Sequence, residues 1–191
     1  MVPLADATRA ALVRLVLERG YERRDQPFAL SSGGSSRDYI DCRHVLATGD
    51  ALRAVAAGVV DAVDVSWEVI GGPTMGADPI AHGVAMVAGV PWFSVRKEPK
   101  GHGRGTWLEG HRLAAGERVL AVEDTVSTGG SLLRAIERIR ETGADVVAAA
   151  TLVDRGPAVA ERFEAAGIPW FPLLTWDDLR IDPLAGGMPA G

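Results

Sequence analysis

The chain has 191 residues, 47% of them hydrophobic and 24% charged, with a formal net charge of −5. That length suits one domain with a full core, and the composition excludes a disordered chain. The negative balance excludes a generic polyanion-binding surface, so nucleic acid is not an expected partner. No stretch reaches the roughly 18–20 apolar residues of a membrane helix, so no membrane partner is expected either. The N-terminus places Asp6 and Arg9 ahead of its apolar stripe, unlike a signal peptide, which predicts a cytoplasmic protein. Cys42 is the single cysteine, so an intrachain disulfide and a cysteine-rich zinc site are both excluded. A small structural thiol is the simpler reading of Cys42, with a nucleophile as the alternative.

In chain order, the spacing of Leu12, Leu15 and Val16 predicts an amphipathic helix over 6–19. Pro27 opens FALSSGGSSRDYIDCR, whose Ser/Gly turn between apolar pieces predicts a hairpin-like hood over 21–45. Residues 49–63 read as a helix, 67–72 (WEVIGG) as a short buried strand and 76–88 as a helix that tolerates Pro79 near its start. A strand at 91–96 runs into KEPKGHGRGTWLEG, whose four glycines, proline and mixed charges predict a long mobile loop. RVLAVED (118–124) is a hydrophobic strand, TVSTGGS its exit, and SLLRAIERIRETG a helix closed by Gly143. DVVAAATLVDRG, AVAERFEAAG and PWFPLL supply a strand, a helix and a last strand, and the tail from about 183 to 191 reads as frayed. Strands alternating with helices predict an α/β fold with a parallel sheet, and the unbroken apolar runs VLAV and VVAAATLV fit burial on both faces.

The chemistry concentrates in residues 119–135. A buried strand ends in Glu123-Asp124 and is followed by Thr125, Val126, Ser127, Thr128, Gly129, Gly130 and Ser131, then a helix. Backbone N–H groups around a glycine turn at a helix N-terminus form an anion cradle, and hydroxyls add donors, so a phosphate monoester suits residues 127–131. Two carboxylates just upstream would repel that phosphate unless a hydroxyl-rich or cationic group lies between; a ribose with nearby Mg²⁺ resolves the conflict. A solvated strand end followed by an ordinary turn is the competing reading. Only two of the twenty lysines and arginines are lysine, Lys97 and Lys100, and both fall among the four cations between Arg96 and Arg104. A chain that uses arginine almost everywhere places its compact, movable charges at one loop; a solvated basic loop is the alternative. The Walker, Rossmann, H-E-x-x-H and G-x-S-x-G motifs are absent, and His44, His82, His102 and His111 lack metal-ligand spacing.

VLAVEDTVSTGGS resembles the phosphoribosyl pyrophosphate (PRPP) signature of type I phosphoribosyltransferases. FALSSGGSSRDYIDCR, GGPTMGADPIA, VRKEPKGHG and TLVDRG extend the resemblance, in order, to the orotate phosphoribosyltransferase family. The resemblance implies a type I phosphoribosyltransferase-like sheet in a single domain over 1–191, Mg²⁺ as cofactor carried mainly by PRPP, and a homodimer with shared active sites. It implies that Glu123 and Asp124 hold the ribose hydroxyls and Ser127 to Ser131 the 5-phosphate. Arg96, Lys97, Lys100 and His102 would stabilise the departing pyrophosphate, on which charge builds in the transition state. For the base, Ser127, Tyr39, Ile40 and Arg155 are the implied contacts, the last through its bidentate fork. An ion pair with Asp154 competes for Arg155, and a plain core role competes for Tyr39. Ser31 and Thr74-Met75 stand where many family members carry lysine and Tyr-Lys. Two alternatives follow: a purine phosphoribosyltransferase on the same scaffold, and a PRPP-binding regulator without turnover.

Overall fold

The computed structural model describes residues 4–29, 35–98 and 107–184. Ser31, Lys100, His102 and the tail beyond 184 therefore lie outside the described residues.

Helix α1 (Asp6–Arg19) leads into a two-stranded antiparallel hairpin, β1 (Tyr21–Ala29) and β2 (Ser35–Ile40). This is the predicted hood, with a register shift between Arg23 and Phe28. A short α2 (Cys42–Val45) and α3 (Gly49–Ala62) precede the main sheet. Its members are β3 (Val69–Pro73), β4 (Trp92–Val95), β5 (Leu108–Gly110), β6 (Arg118–Val126), β7 (Asp145–Asp154) and β8 (Trp170–Thr175). Helices α4 (Asp78–Ala88), α5 (Gly130–Arg140) and α6 (Val159–Ala165) connect them. Among the described residues, no helix is long and apolar enough to cross a membrane.

The strand order is β5-β4-β3-β6-β7-β8. All neighbours run parallel except β5, which pairs antiparallel with β4. The predicted loop over 97–110 thus contains a strand at its end, and the sheet is parallel except at that edge. Three residues of mixed polarity, LEG, give no periodicity; pairing with β4 makes them a strand. At the other boundary, β3 begins at Val69 rather than at the predicted 67, because Glu68 N donates to Arg118 O as a lead-in to the pairing of Val69 with Val119.

Both sheet faces are covered. Leu120, Val122, Ala148, Ala150 and Leu152 pack toward the side of α1, α3 and α4. Val119 and Ala121 point the other way and join Leu132, Ile136, Ile139 and Phe163 of α5 and α6. The alternation of side chains along β6 therefore feeds two cores from one apolar run. After α5 the chain turns at Gly143 with φ +87°, as its sequence predicts. Leu184 departs from the predicted fraying: it is buried and its N–H donates to Arg155 O at 2.7 Å.

The chain passes from β3 to β4 on one side and then returns to lay β6 on the other side of β3. This reversal opens a crevice beyond the carboxyl ends of β3 and β6, where open α/β sheets accept ligands.

Candidate active site

The crevice is a cleft of about 440 Å³ lined by Thr74, Met75 and Gly76 after β3, Lys97 after β4, and the run Glu123–Ser131 with Arg134. β6 extends to Val126, two residues past its predicted end, because Thr125 and Val126 continue the ladder against Val153 and Asp154. The paired acids therefore stand within a hydrogen-bonded strand. Asp124 is steadied on several sides. Its Oδ1 accepts from Thr125 N at 2.9 Å, and its carbonyl accepts from Thr151 Oγ1 at 3.2 Å. Beneath it, Cys42 Sγ lies 2.9 Å from Thr125 Oγ1.

Burial pushes both carboxyls above their ordinary range. For Glu123 the rise is from 4.5 to about 7, from desolvation first and the Asp124 charge second, opposed by Ser131, Arg134 and Lys97. For Asp124 desolvation is again the first cause, opposed by the Thr125 N–H. Two partly desolvated acids beside a lysine and an arginine fit a site that accepts hydroxyls and phosphates together.

The cradle follows. Gly129, the N-cap of α5, has φ +77°, and no side chain caps the helix. A β-carbon at Gly129 would also lie 2.9 Å from Phe163 Cε2, so glycine alone fits this turn. The amides at the start of α5 are left facing the cleft, with only a long 3.5 Å contact from Gly130 N to Thr128 Oγ1. Such a terminus favours an anion through both N–H groups and dipole. Arg162 of α6 donates to Thr128 O and fixes the loop from outside. On the far wall, Thr74 Oγ1 and Ser94 Oγ donate to Asp78 at 2.7 and 2.6 Å, tying the turn after β3 to α4 and β4. The Thr74–Met75 peptide in this turn is cis.

Thus Glu123, Asp124, Thr125, Val126, Ser127, Thr128, Gly129, Gly130, Ser131 and Lys97 share one cleft. Arg96 does not line it: it borders a neighbouring groove of about 470 Å³, and its Nη1 lies 3.4 Å from Glu109 Oε1. Arg155 also lies off the cleft, at the end of β7, with its residue 3% exposed. Its expected competitor, an ion pair with Asp154, is not formed; Arg155 Nη1 instead donates to Asp38 O in the hood at 2.6 Å. Nε and Nη2 of Arg155 are buried without a partner among the described residues. Tyr39 stands on the face of β2 opposite Asp38, with Arg24 4.3 Å above its ring and Phe28 edge-on at 5.4 Å, while Ile40 packs against the core.

Two features escape the sequence reading. Arg134 lines the cleft because it sits one helical turn beyond Gly130 and Ser131, a spacing that helical periodicity offers. Asp38 is buried and accepts from Tyr21 Oη and Arg23 Nη1, each at 2.9 Å.

Comparison with known proteins places this geometry. The phosphoribosyl transferase domain model matches residues 44–164. The orotate phosphoribosyltransferase of Streptomyces avermitilis is 39% identical over 184 residues, covering 93% of this chain and 100% of the relative. That of Aquifex aeolicus is 38% identical over 178 residues, covering 90% and 97%. The crystal structure of Mycobacterium tuberculosis orotate phosphoribosyltransferase in complex with PRPP superposes with a TM-score of 0.76 at 34% identity, covering 91% of this chain and 99% of that one. On the strength of both the matched domain and these near full-length relatives, this chain belongs to the orotate phosphoribosyltransferase family.

Proposed function

We propose that this chain transfers the 5-phosphoribosyl group of PRPP to N1 of orotate, releasing pyrophosphate and giving orotidine 5′-monophosphate for pyrimidine biosynthesis. One observation carries the reading: an uncapped helix N-terminus for a phosphate and a pair of raised-pKa carboxyls for ribose hydroxyls share one cleft. The 5-phosphate lies on the amides of 127–131, and the ribose hydroxyls donate to Glu123 and Asp124. Lys97 stands where the pyrophosphate leaves, and Lys100 and His102 are assigned there from the sequence. N1 of orotate, its proton given up to solvent, attacks C1 from the face opposite the pyrophosphate; the C1–O bond breaks, and its electron pair departs with the leaving group. The chain needs no nucleophile of its own; it positions the reactants and stabilises the charge gathering on the pyrophosphate.

Arg155 meets the base. With Nη1 taken by Asp38 O, its Nε–Nη2 edge is the side-on fork that receives a carboxylate or a pair of carbonyl oxygens. Mg²⁺ fits the donor set, since the cleft offers hard carboxylate oxygens and PRPP brings phosphate oxygens. When bound, it neutralises diphosphate charge.

The unit we propose is one catalytic domain acting as a cytoplasmic homodimer. Met86 is 84% exposed one turn beyond His82, and the His82 ring lies 4.0 Å from that of Trp92, also exposed. His82 Nε2 is buried without a partner in the described residues. This apolar stripe is the kind of surface that another copy covers.

Initial rates with PRPP and Mg²⁺, following loss of orotate's ultraviolet absorbance beside adenine, hypoxanthine, xanthine and uracil, test the reaction. Turnover with orotate alone is expected. Turnover with a purine overturns the base assignment, and PRPP binding without turnover on any base overturns the enzymatic one.

A further inference from the structure

The hood holds a charge arrangement that the reaction scheme above does not use. Arg23 and Asp38 face one another directly across the hairpin. The Asp38 side chain is 2% exposed, whereas that of Arg23 is 59% exposed. Oδ1 of Asp38 takes two donors, Tyr21 Oη and Arg23 Nη1, and the Asp38 carbonyl takes Arg155 Nη1. One residue thus supplies the anchor that orients Arg155 and also brings a buried negative charge close to it. An anionic ligand docking on the Nε–Nη2 edge meets that charge. A buried carboxylate repels a neighbouring anion strongly unless a cation compensates it. Two cations are at hand: Arg155, whose guanidinium feels the Asp38 charge but is needed by the ligand, and Arg23, which reaches in from the other strand to the carboxylate itself.

We propose that Asp38 and Arg23 form a charge-balanced positioning pair for the base subsite. Asp38 aims Arg155 through its carbonyl, and Arg23 cancels the Asp38 charge that would otherwise oppose an anionic pyrimidine. Tyr21 holds the same carboxylate oxygen and keeps the pair in register. The inference rests on the orotate reading and adds to it a reason why that base is accepted as an anion. Neither residue touches the reacting atoms; each acts through Arg155 or through the local field.

The test compares Arg23→Ala, Asp38→Asn and the double variant with the unaltered protein, varying orotate and PRPP separately. Asp38→Asn keeps an oxygen for Tyr21 and Arg23 and removes only the charge. Arg23→Ala is expected to raise KM for orotate about tenfold, with kcat and KM for PRPP within about twofold. Asp38→Asn alone leaves KM for orotate no higher than before. The double variant returns it to within about threefold of the original, because removing the uncompensated charge removes the repulsion. A purely structural role for Arg23 predicts equal rises in both KM values and no rescue by Asp38→Asn, and that result overturns the pair. Should Arg23→Ala fail to fold, Arg23→Gln retains an N–H donor and loses the charge, and the same rescue is read from it. An unaltered protein that binds PRPP but is silent with orotate overturns the function reading itself; an active one isolates the pair.

Discussion

Asp154 gives its carboxylate to Trp170 rather than to its neighbour Arg155: the indole Nε1 donates to Oδ2 at 2.9 Å, and Gly156 N donates to Oδ1 at the same distance. The acid braces the turn after β7 and leaves the adjacent guanidinium to the hood. Arg155→Lys keeps the charge but not the planar fork, so KM for orotate should rise about tenfold or more while KM for PRPP stays within about twofold. Steady-state kinetics with each substrate varied in turn decide this. Equal rises in both constants remove Arg155 from the base site.

Glu123 makes stability depend on pH in a definite direction. Its folded pKa, about 7, lies above the ordinary 4.5, so between these values the folded state holds a proton that the unfolded state has lost. Stability from this group is therefore full below pH 4.5 and falls as pH rises toward 7, by about 2–3 kcal/mol in the ligand-free protein. Glu123→Gln should abolish that loss and be the more stable protein at pH 8. Urea unfolding of both proteins at pH 5 and pH 8 reads the difference. Because an ionised Glu123 is the better acceptor for ribose hydroxyls, PRPP affinity should improve from pH 6 to pH 8, and the variant should flatten that dependence.

Gly129→Ala tests the cradle. The substitution places a β-carbon at φ +77° and against Phe163, a combination costing about 1–3 kcal/mol. Thermal unfolding should fall by several degrees, and PRPP binding measured by calorimetry should weaken about tenfold as the amides at the start of α5 lose their alignment. Unchanged PRPP affinity in a folded variant would show that the phosphate sits elsewhere.

Arg134→Ala tests a residue found only in the structure. It removes a cation that lines the cleft proposed for PRPP and favours ionised Glu123. KM for PRPP should rise about three- to tenfold, and the pH dependence assigned to Glu123 should shift upward. An Arg134→Ala enzyme with the original KM for PRPP and the original pH profile would place Arg134 outside the site.

The long periodic elements and the hydroxyl- and glycine-rich loop after β6 were legible in the sequence because each carries its own local reason. β6 is built on the unbroken apolar run VLAV, α5 has a clear apolar stripe, and residues 125–131 combine hydroxyls and glycines at a strand-to-helix junction. β5 was not legible, because its three residues are a strand only through their pairing with β4. Leu184 was not, because a tail of small residues gives no sign that one leucine docks beside Arg155. Asp38 was hidden for a different reason. In S-S-R-D-Y the aromatic draws the eye as the buried residue, yet the strand's two-residue alternation turns the acid inward with Ser36, where Arg23 and Tyr21 on the facing strand help make that tolerable.

Cys42 lies fully enclosed under Asp124 and Thr125, with its thiol pKa driven upward by burial and by the Asp124 charge. As the chain's one sulfhydryl, it serves as an internal clock. A thiol reagent can reach it only when the floor of the cleft opens, so the labelling rate under native conditions counts those openings directly. Saturating PRPP should slow that clock, and Gly129→Ala should quicken it, without any assay of turnover.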